Sequence, residues 1–518
     1  MTPKFKLTYG LRLDGLFFDN SDLMTNNAIL DLDYNGRHID SGKWPNSSLT
    51  VSPRIGFVYD VFGDKTLKFR GGTGFFQGRL PLVFFTNLPT NSGMIQYQAQ
   101  LNATKAWNPQ THKKEGVDMT PFKGGLVVDK DGKPTAAALR DKLISLGYPE
   151  NITPEEGTVP SAISAVDTDF KLPQVWKTSF AIDYQIPVSF PMSVSVEGIF
   201  NKTLNAATLT DWSVQDVKGF PRFNGADNRP VYPKGSSVGT SAYVLENTSR
   251  GYGWSFSAQV NAQPWEWLNL MAAYTHTVSK EVTSLPGSNA SSVLNYISTV
   301  YGPNNIKLHN GQNVTPDRII ASATIHDKSN NHYSFIYEAW RGGYNYSYMM
   351  VNDINADGYN YDAIYIPTDK QVADNEFRFK TEDDKTRFMD YVHNNSYLKN
   401  HQGEYAEAYS LYSPWVHRID FSYKHDFKFD VAGHTNTIQL SFDMKNVLNF
   451  FNSSWGVMKY LNPEIGSDPR ILRYEGYDKD GYATFSTPKS INGNTKTFVP
   501  NHAIGQCWYA SVGLRYIF

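Results

Sequence analysis

The stretch GQCWYASVGLRYIF (505–518) decides the fold. Counting back from Phe518, residues Tyr516, Leu514, Val512, Ala510 and Trp508 are apolar or aromatic. Between them, Arg515, Gly513, Ser511, Tyr509 and Cys507 are mostly polar or small, and Ile517 is the exception. A period of two marks a strand with one apolar face. Chain termini usually fray into polar tails, so a terminal strand ending on Phe needs somewhere to put that ring. An edge strand of a soluble sandwich would provide one place. The closing strand of a membrane barrel, with its apolar face against lipid, would provide another.

Composition separates these two. The chain has 518 residues and a net charge of −2, with a mean hydropathy of −0.44. No stretch approaches the ~20 apolar residues a membrane helix needs. Yet aromatics reach 14%, with 32 Tyr, 31 Phe and 11 Trp. Hydrophilic sequences rich in Tyr and Gly fit transmembrane barrels, because only every second strand residue meets lipid. The near-neutral charge argues against nucleic acid as a partner, which calls for a basic face. A single cysteine, Cys507, excludes an internal disulfide, and with it cysteine-based zinc clusters and redox pairs. The opening MTPKFKLTYGLRLDGLFF has no basic region followed by a continuous apolar core, so it does not read as a signal peptide. Phe5, Leu7, Tyr9, Leu11 and Leu13 alternate there with Lys6, Thr8, Gly10 and Arg12, so the sequence starts inside a strand.

The same alternation recurs at Trp176–Tyr184, Tyr252–Val260, Leu268–Tyr274, Trp415–Tyr423 and Ile438–Met444. On the last but one, Arg418, Asp420 and Lys424 share a face. A watery or plugged lumen tolerates such a row, and a sandwich core does not. The pattern predicts about 12 strands of barrel length, near 4–18, 50–61, 65–77, 174–186, 190–201, 250–263, 267–280, 317–327, 331–346, 413–427, 436–447 and 504–518. Their joins alternate. FGDK, PVSFP, PWEW and KSNN are tight turns and FKFDVAGHTN is slightly longer, whereas long loops fill 19–49, 78–173, 202–249, 281–316, 347–412 and 448–503. Short turns on one side and long loops on the other are the outer-membrane barrel pattern, with the short side periplasmic. The expected class is therefore an all-β, antiparallel transmembrane barrel.

Two loops carry helical patterns. TAAALRDKLISLGY (135–148) puts Leu139, Leu143 and Leu146 on one face, with Gly147 as a stop. TEDDKTRFMDYVHNNSYL (381–398) opens with Thr381 as N-cap and acids in its first turn, and Phe388, Tyr391 and Val392 form its apolar face. Packing of the loops is the simpler role for both.

Several blocks resemble TonB-dependent outer-membrane receptors, and among them the large Oar-like subgroup that carries a carboxypeptidase-regulatory-like domain. SPRIGFVYDVFGDKTLKFRGGTGFFQGRLPLVFFTNLPTNSG (52–93) resembles their mid-barrel segment. DINADGYNYDAIYIPTD (353–369), YLKNHQGEYAEAYS (397–410) and HRIDFSYKHDF (417–427) resemble later loops and strands, and IQLSFDMKNVLNFFNSSWG (438–456) the penultimate strand. The strand ending in Trp508, Tyr516 and Phe518 resembles the signal read by the barrel-assembly machinery. The resemblance implies a 22-stranded barrel, of which residues 1–518 would be the C-terminal portion. The plug and the segment that contacts TonB would lie before Met1. It also implies energised uptake of a scarce solute such as an oligosaccharide, peptide or chelate. A self-contained 12-stranded porin and a non-transporting adhesin are the rivals.

Local motifs add little chemistry. RGGTGFF (70–76) lacks the helix a phosphate loop requires, because Phe75 and Phe76 continue a strand. DINADGYNYD is sharper: Asp353, Asn355 and Asp357 stand at positions 1, 3 and 5 of a calcium loop and Gly358 at position 6. Position 12 is Ile364 instead of Glu, which leaves Asp362 at position 10 as the substitute ligand. An Asx-turn-rich loop is the alternative. No HExxH or G-x-S-x-G occurs, and the adjacent Glu155 and Glu156 do not face each other, so the chain does not read as an enzyme. His276, His417 and His425 continue apolar stripes and suit a membrane interface.

Overall fold

The computed structural model describes all residues except 1–3, 95–105, 109–112, 116–126, 146–149, 284, 286, 296, 432 and 467. Twelve long strands form the path of one sheet: β1 (Phe5–Leu16), β2 (Ser48–Asp60), β3 (Leu67–Gln77), β4 (Gln174–Gln185), β5 (Met192–Asp211), β6 (Tyr252–Trp265), β7 (Leu268–Glu281), β8 (Asp317–His326), β9 (Asn331–Arg341), β10 (Val416–Val431), β11 (His434–Lys445) and β12 (Tyr509–Ile517). Each pairs antiparallel with its neighbour along this series. The expected strands are all present, with four boundary corrections. β5 runs ten residues past its expected end at 201, because Ala242–Thr248 pairs with its extension. β10 continues to Val431, which pairs with His434, so FKFDVAGHTN is mostly strand. β9 stops at Arg341, short of 346. β12 begins only at Tyr509, after a 3-10 turn at Ile504–Gln506, which leaves Trp508 outside the strand.

Turn chemistry explains the short joins. Between β2 and β3, the Asp60 carboxylate accepts from the Gly63 and Lys65 amides at 2.9 Å each. Lys65 adopts φ 70°, the left-handed conformation such a turn needs. Within β3, a Cβ on Gly72 would sit 2.9 Å from the Ile55 carbonyl, and one on Gly71 2.9 Å from that of Ser179. These glycines let β2 and β4 approach closely, and no phosphate cradle is formed.

The register sorts the side chains cleanly. Ile438 lies opposite Tyr516, Leu440 opposite Leu514, and Phe442 opposite Val512. Across β10 the same face continues through Phe427, His425 and Tyr423, then Tyr333, Phe335 and Tyr337 on β9. Further on, Phe256 and Trp254 of β6 lie opposite Gly198 and Phe200 of β5. The other face carries Arg515, Ser441, Gln439, Lys424, Asp420 and Arg418. On it Arg70 of β3 bridges Asp183 of β4 at 3.1 Å and Glu197 of β5 at 3.2 Å. Ser255 shares it too, as expected. A row of charges that pair with one another on one face and continuous aromatics on the other is the barrel signature.

The sheet does not close on itself. Among the described residues β1 pairs only with β2 and β12 only with β11, and the path ends at both. Their apolar side chains are correspondingly open: Tyr9 is 78% exposed, Leu514 76% and Phe518 94%.

The long loops build a second layer with a hydrophobic core of its own. Helix α1 (Ala136–Ser145) buries Ala138, whereas Leu139 stays exposed, so the expected leucine face is not what packs. Leu146 and Gly147 lie outside the described residues. Helix α2 (Glu382–Asn394) matches its expectation. The Thr381 hydroxyl accepts from the Asp384 amide at 3.1 Å, and Phe388, Tyr391 and Val392 are buried. They pack with Tyr348, Ile364, Leu398, Ile471 and Phe485 in one cluster. A four-stranded sheet of Met349–Val351, Arg470–Tyr477, Ala483–Ser486 and Arg378–Phe379 supports it. Loops distant in sequence thus share one core, and the packing role of α2 is met.

Candidate functional site

The loop layer holds a buried charge cluster around Arg229. The sequence FNGADNRP bends the chain sharply, with the Phe223 amide donating to the Arg229 carbonyl at 3.3 Å. The turn drives the Arg229 side chain inward, where it is fully buried. Its guanidinium donates from Nε and Nη2 to the two Asp227 oxygens, both at 2.9 Å. It also reaches Asp362 Oδ1 at 3.3 Å and the Ala363 carbonyl at 2.8 Å. The Tyr405 ring lies 5.3 Å from the guanidinium carbon, and the Tyr405 hydroxyl donates to Asp227 at 2.9 Å. Burial opposes the charged form, but Asp227 and Asp362 overcome it and hold the guanidinium above its ordinary pKa.

The calcium-loop residues sit beside it. Asp362 is buried, and its Oδ2 accepts from the Ile354 amide at 3.2 Å. Asp353 accepts from the Gly358 amide at 2.8 Å through Oδ2, while its Oδ1 has no hydrogen-bond partner. Asn355 donates to Asp357 at 3.1 Å, and Asp357 accepts from the Tyr359 amide at 2.8 Å. Position 10 therefore faces a built-in cation, Arg229, and positions 1, 3 and 5 hold their turn through backbone amides, as an Asx-rich loop does. Among the described residues no group of three or more carboxylate, imidazole or thiol side chains is arranged to hold a metal ion. The calcium expectation rests on sequence spacing alone.

Four acids, Asp227, Asp353, Asp357 and Asp362, against one arginine leave excess negative charge. Asp353 and Asp362 are both raised, first by burial. Asp357 is pushed up to about 7, by burial and then by the Asp353 charge. Because the folded loop binds this proton more tightly than the unfolded chain, loop stability falls as pH rises from about 4 towards about 7, and the whole penalty is present above that. Hydrogen exchange across 353–362 should therefore be slower at pH 5.5 than at pH 8, after correction for intrinsic rates. Asp357→Asn should flatten the difference. An unchanged profile in that variant would refute the assignment.

The assembly-signal residues are separated from this cluster. Tyr516 lies on the apolar face and its hydroxyl donates to Asn436, with its ring 5.7 Å from that of Phe518. Trp508, just outside β12, meets Phe450 edge-on at 5.0 Å. Sequence reasoning found Asp353, Asn355, Asp357 and Asp362 but missed Arg229. Its only local signal was an Asp-x-Arg step inside a Gly/Asn/Pro turn.

A search of curated proteins found no match. Among solved structures the chain is similar to the outer membrane transporter YddB of Escherichia coli, at 11% identity and TM-score 0.39, covering 90% of this chain and 41% of that one. It is also similar to the siderophore receptor PiuA of Acinetobacter baumannii, at 10% identity and TM-score 0.33, covering 94% and 40%. A third is the iron transporter FrpB of Neisseria meningitidis, at 11% identity and TM-score 0.33, covering 86% and 38%. The chain spans about two fifths of the length of each of these proteins. The sequence model of the outer membrane beta barrel domain matches residues 1–456, and with it the paired strands, the aromatic face and the charged face place the chain in that family of bacterial outer-membrane barrels.

Proposed function

We propose that the chain is the C-terminal part of a TonB-dependent receptor barrel that takes up a scarce solute across the outer membrane. The observation that carries this reading is the pair of edge strands: among the described residues β1 and β12 each leave one side of their backbone unpaired. In lipid an open edge costs several kcal/mol per unpaired group, so further strands must complete the ring. The heavy loop layer supports it too, since a binding surface outside the membrane needs an ordered core. In this reading a plug fills the charged lumen, TonB pulls on that plug from the periplasm, and the β12 end with Tyr516 and Phe518 is read by the barrel-assembly machinery. The solute is of the oligosaccharide, peptide or chelate kind.

The test is direct. Antibody against the 347–412 loop should detect, in outer membranes, a polypeptide well above the 58.4 kDa of this sequence. Its removal should abolish growth on a solute whose uptake also needs TonB. A 58.4 kDa band that gives steady conductance in planar bilayers would establish the self-contained porin instead.

A further inference from the structure

The hairpin of β8 and β9 carries a pair of histidines at its mouth. His326 ends β8 and stands directly opposite His332 of β9. Their neighbours Ile325 and Tyr333 belong to the apolar face, so both imidazoles lie on the charged face, at the end of the sheet where the joins are short. The two Nδ1 atoms face each other 2.5 Å apart, with the rings inclined at 74°. His326 is exposed and the His332 side chain is one third exposed, so a solute in water reaches both.

The surroundings of His332 fix where its proton sits. Asp426 Oδ2 on β10 lies 3.3 Å from His332 Nε2. The other Asp426 oxygen accepts from the Gln439 amide of β11 at 2.7 Å, which holds the carboxylate in place. An ionised carboxylate only accepts, so in the neutral ring Nε2 carries the hydrogen and Nδ1 is a bare lone pair. His326 Nδ1 faces that lone pair. It either donates a hydrogen to it or, in the tautomer with hydrogen on Nε2, turns a second lone pair to the same point. Two imidazole lone pairs that converge, one of them on a ring whose far N–H is given to a carboxylate, form the ligand set that a divalent transition metal takes. Two such nitrogens on tetrahedral zinc sit roughly 3.3 Å apart, so a small rotation of two accessible rings makes room. Lys424 stands opposite His332 on β10, but it is exposed, and Asp426 on the same strand offsets its charge.

We propose that His326 and His332 bind one divalent transition-metal ion of the zinc class through their Nδ1 atoms. Water completes the coordination, and Asp426 is a positioning residue that orients His332. The ion clamps the end of β8 to the start of β9. Binding needs neither plug nor transported solute, so it can fail while uptake stands, and it can succeed in a barrel that does not transport.

The full chain, purified in detergent without a histidine tag, would be titrated with Zn²⁺ by calorimetry and with Cu²⁺ under electron paramagnetic resonance. One Zn²⁺ per chain should bind saturably at about pH 7.5 and be released at about pH 5, because imidazoles ligate only when neutral. Cu²⁺, which such ligands hold more tightly, should show splitting from two nitrogens. Asp426→Asn should weaken Zn²⁺ binding about tenfold with two nitrogens still on copper, the mark of a residue that orients a ligand. His326→Ala and His332→Ala should each weaken it further and leave one nitrogen. Heat-modifiable migration in gels checks that each variant is folded. No saturable Zn²⁺ binding, meaning that the two rings only share a hydrogen, would overturn the proposal. So would equal affinity in wild type and the His326→Ala/His332→Ala double variant.

Discussion

Arg229→Ala is expected to destabilise the loop layer by about 3–5 kcal/mol, the usual cost of removing one partner from a buried ion pair. The loss is large because the guanidinium makes four hydrogen bonds and none of its surface meets water. Asp227 and Asp362 would remain buried without a counter-charge. Arg229→Lys should fall in between, since an ammonium retains the charge but not the two-pronged fit to Asp227. The damage from Arg229→Ala should shrink on acidification, because the stranded Asp362 can then take up a proton. Adding Asp362→Asn should likewise recover part of the loss. Proteolysis of the 353–410 region under increasing urea would measure these effects, while migration in gels reports the barrel. A loss below about 1 kcal/mol, as for an exposed pair, would show that the cluster is open to water.

Leu440→Arg should cost about 2–4 kcal/mol in a bilayer, provided that the residue lies near the midplane. Leu440 stands mid-strand in β11, between His425 on β10 and Leu514 on β12. Its side chain points to the aromatic face, so an arginine there must enter hydrocarbon or thin the membrane locally. The adjacent Ser441 is the control. It shares its face with Lys424 and Gly513, and Ser441→Arg should be nearly neutral. Reversible folding into lipid vesicles would compare the two. A greater penalty for Ser441→Arg would invert the faces, because a one-residue shift exchanges them along the whole strand.

The barrel was legible in the sequence because its rule is local. A strand with lipid on one side and water on the other must alternate, and the twelve alternating runs became the twelve strands. The boundaries were read less well where the partner was remote. Nothing in 202–211 announces that β5 continues, because its pairing segment begins at Ala242. Trp508 obeys the alternation but lies outside β12, since the preceding 3-10 turn sets the strand start. The cluster was half legible. Asp353, Asn355 and Asp357 announce a turn by their spacing, but their neighbour Arg229 is more than a hundred residues away.

The neighbour-by-neighbour pairing of the twelve strands also sets an order of events. Five of the eleven joins are short, and because closure entropy grows only slowly with loop length, even the six long loops let each strand add to the one before it at modest cost. The loop layer differs. Tyr34 bonds across 206 residues to Thr240, and Asn224 across 256 to Asp480. Arg229 and Asp362 are 133 apart. Such contacts are costly until the sheet has brought the loop roots together, and proteins dominated by them fold slowly. We therefore expect the sheet to form first and the loop layer later, an order that proteolysis of the 353–410 region during refolding would check. A chain caught midway would have a finished wall and a molten crown, exposed to proteases at the cell surface until Arg229 finds its acids.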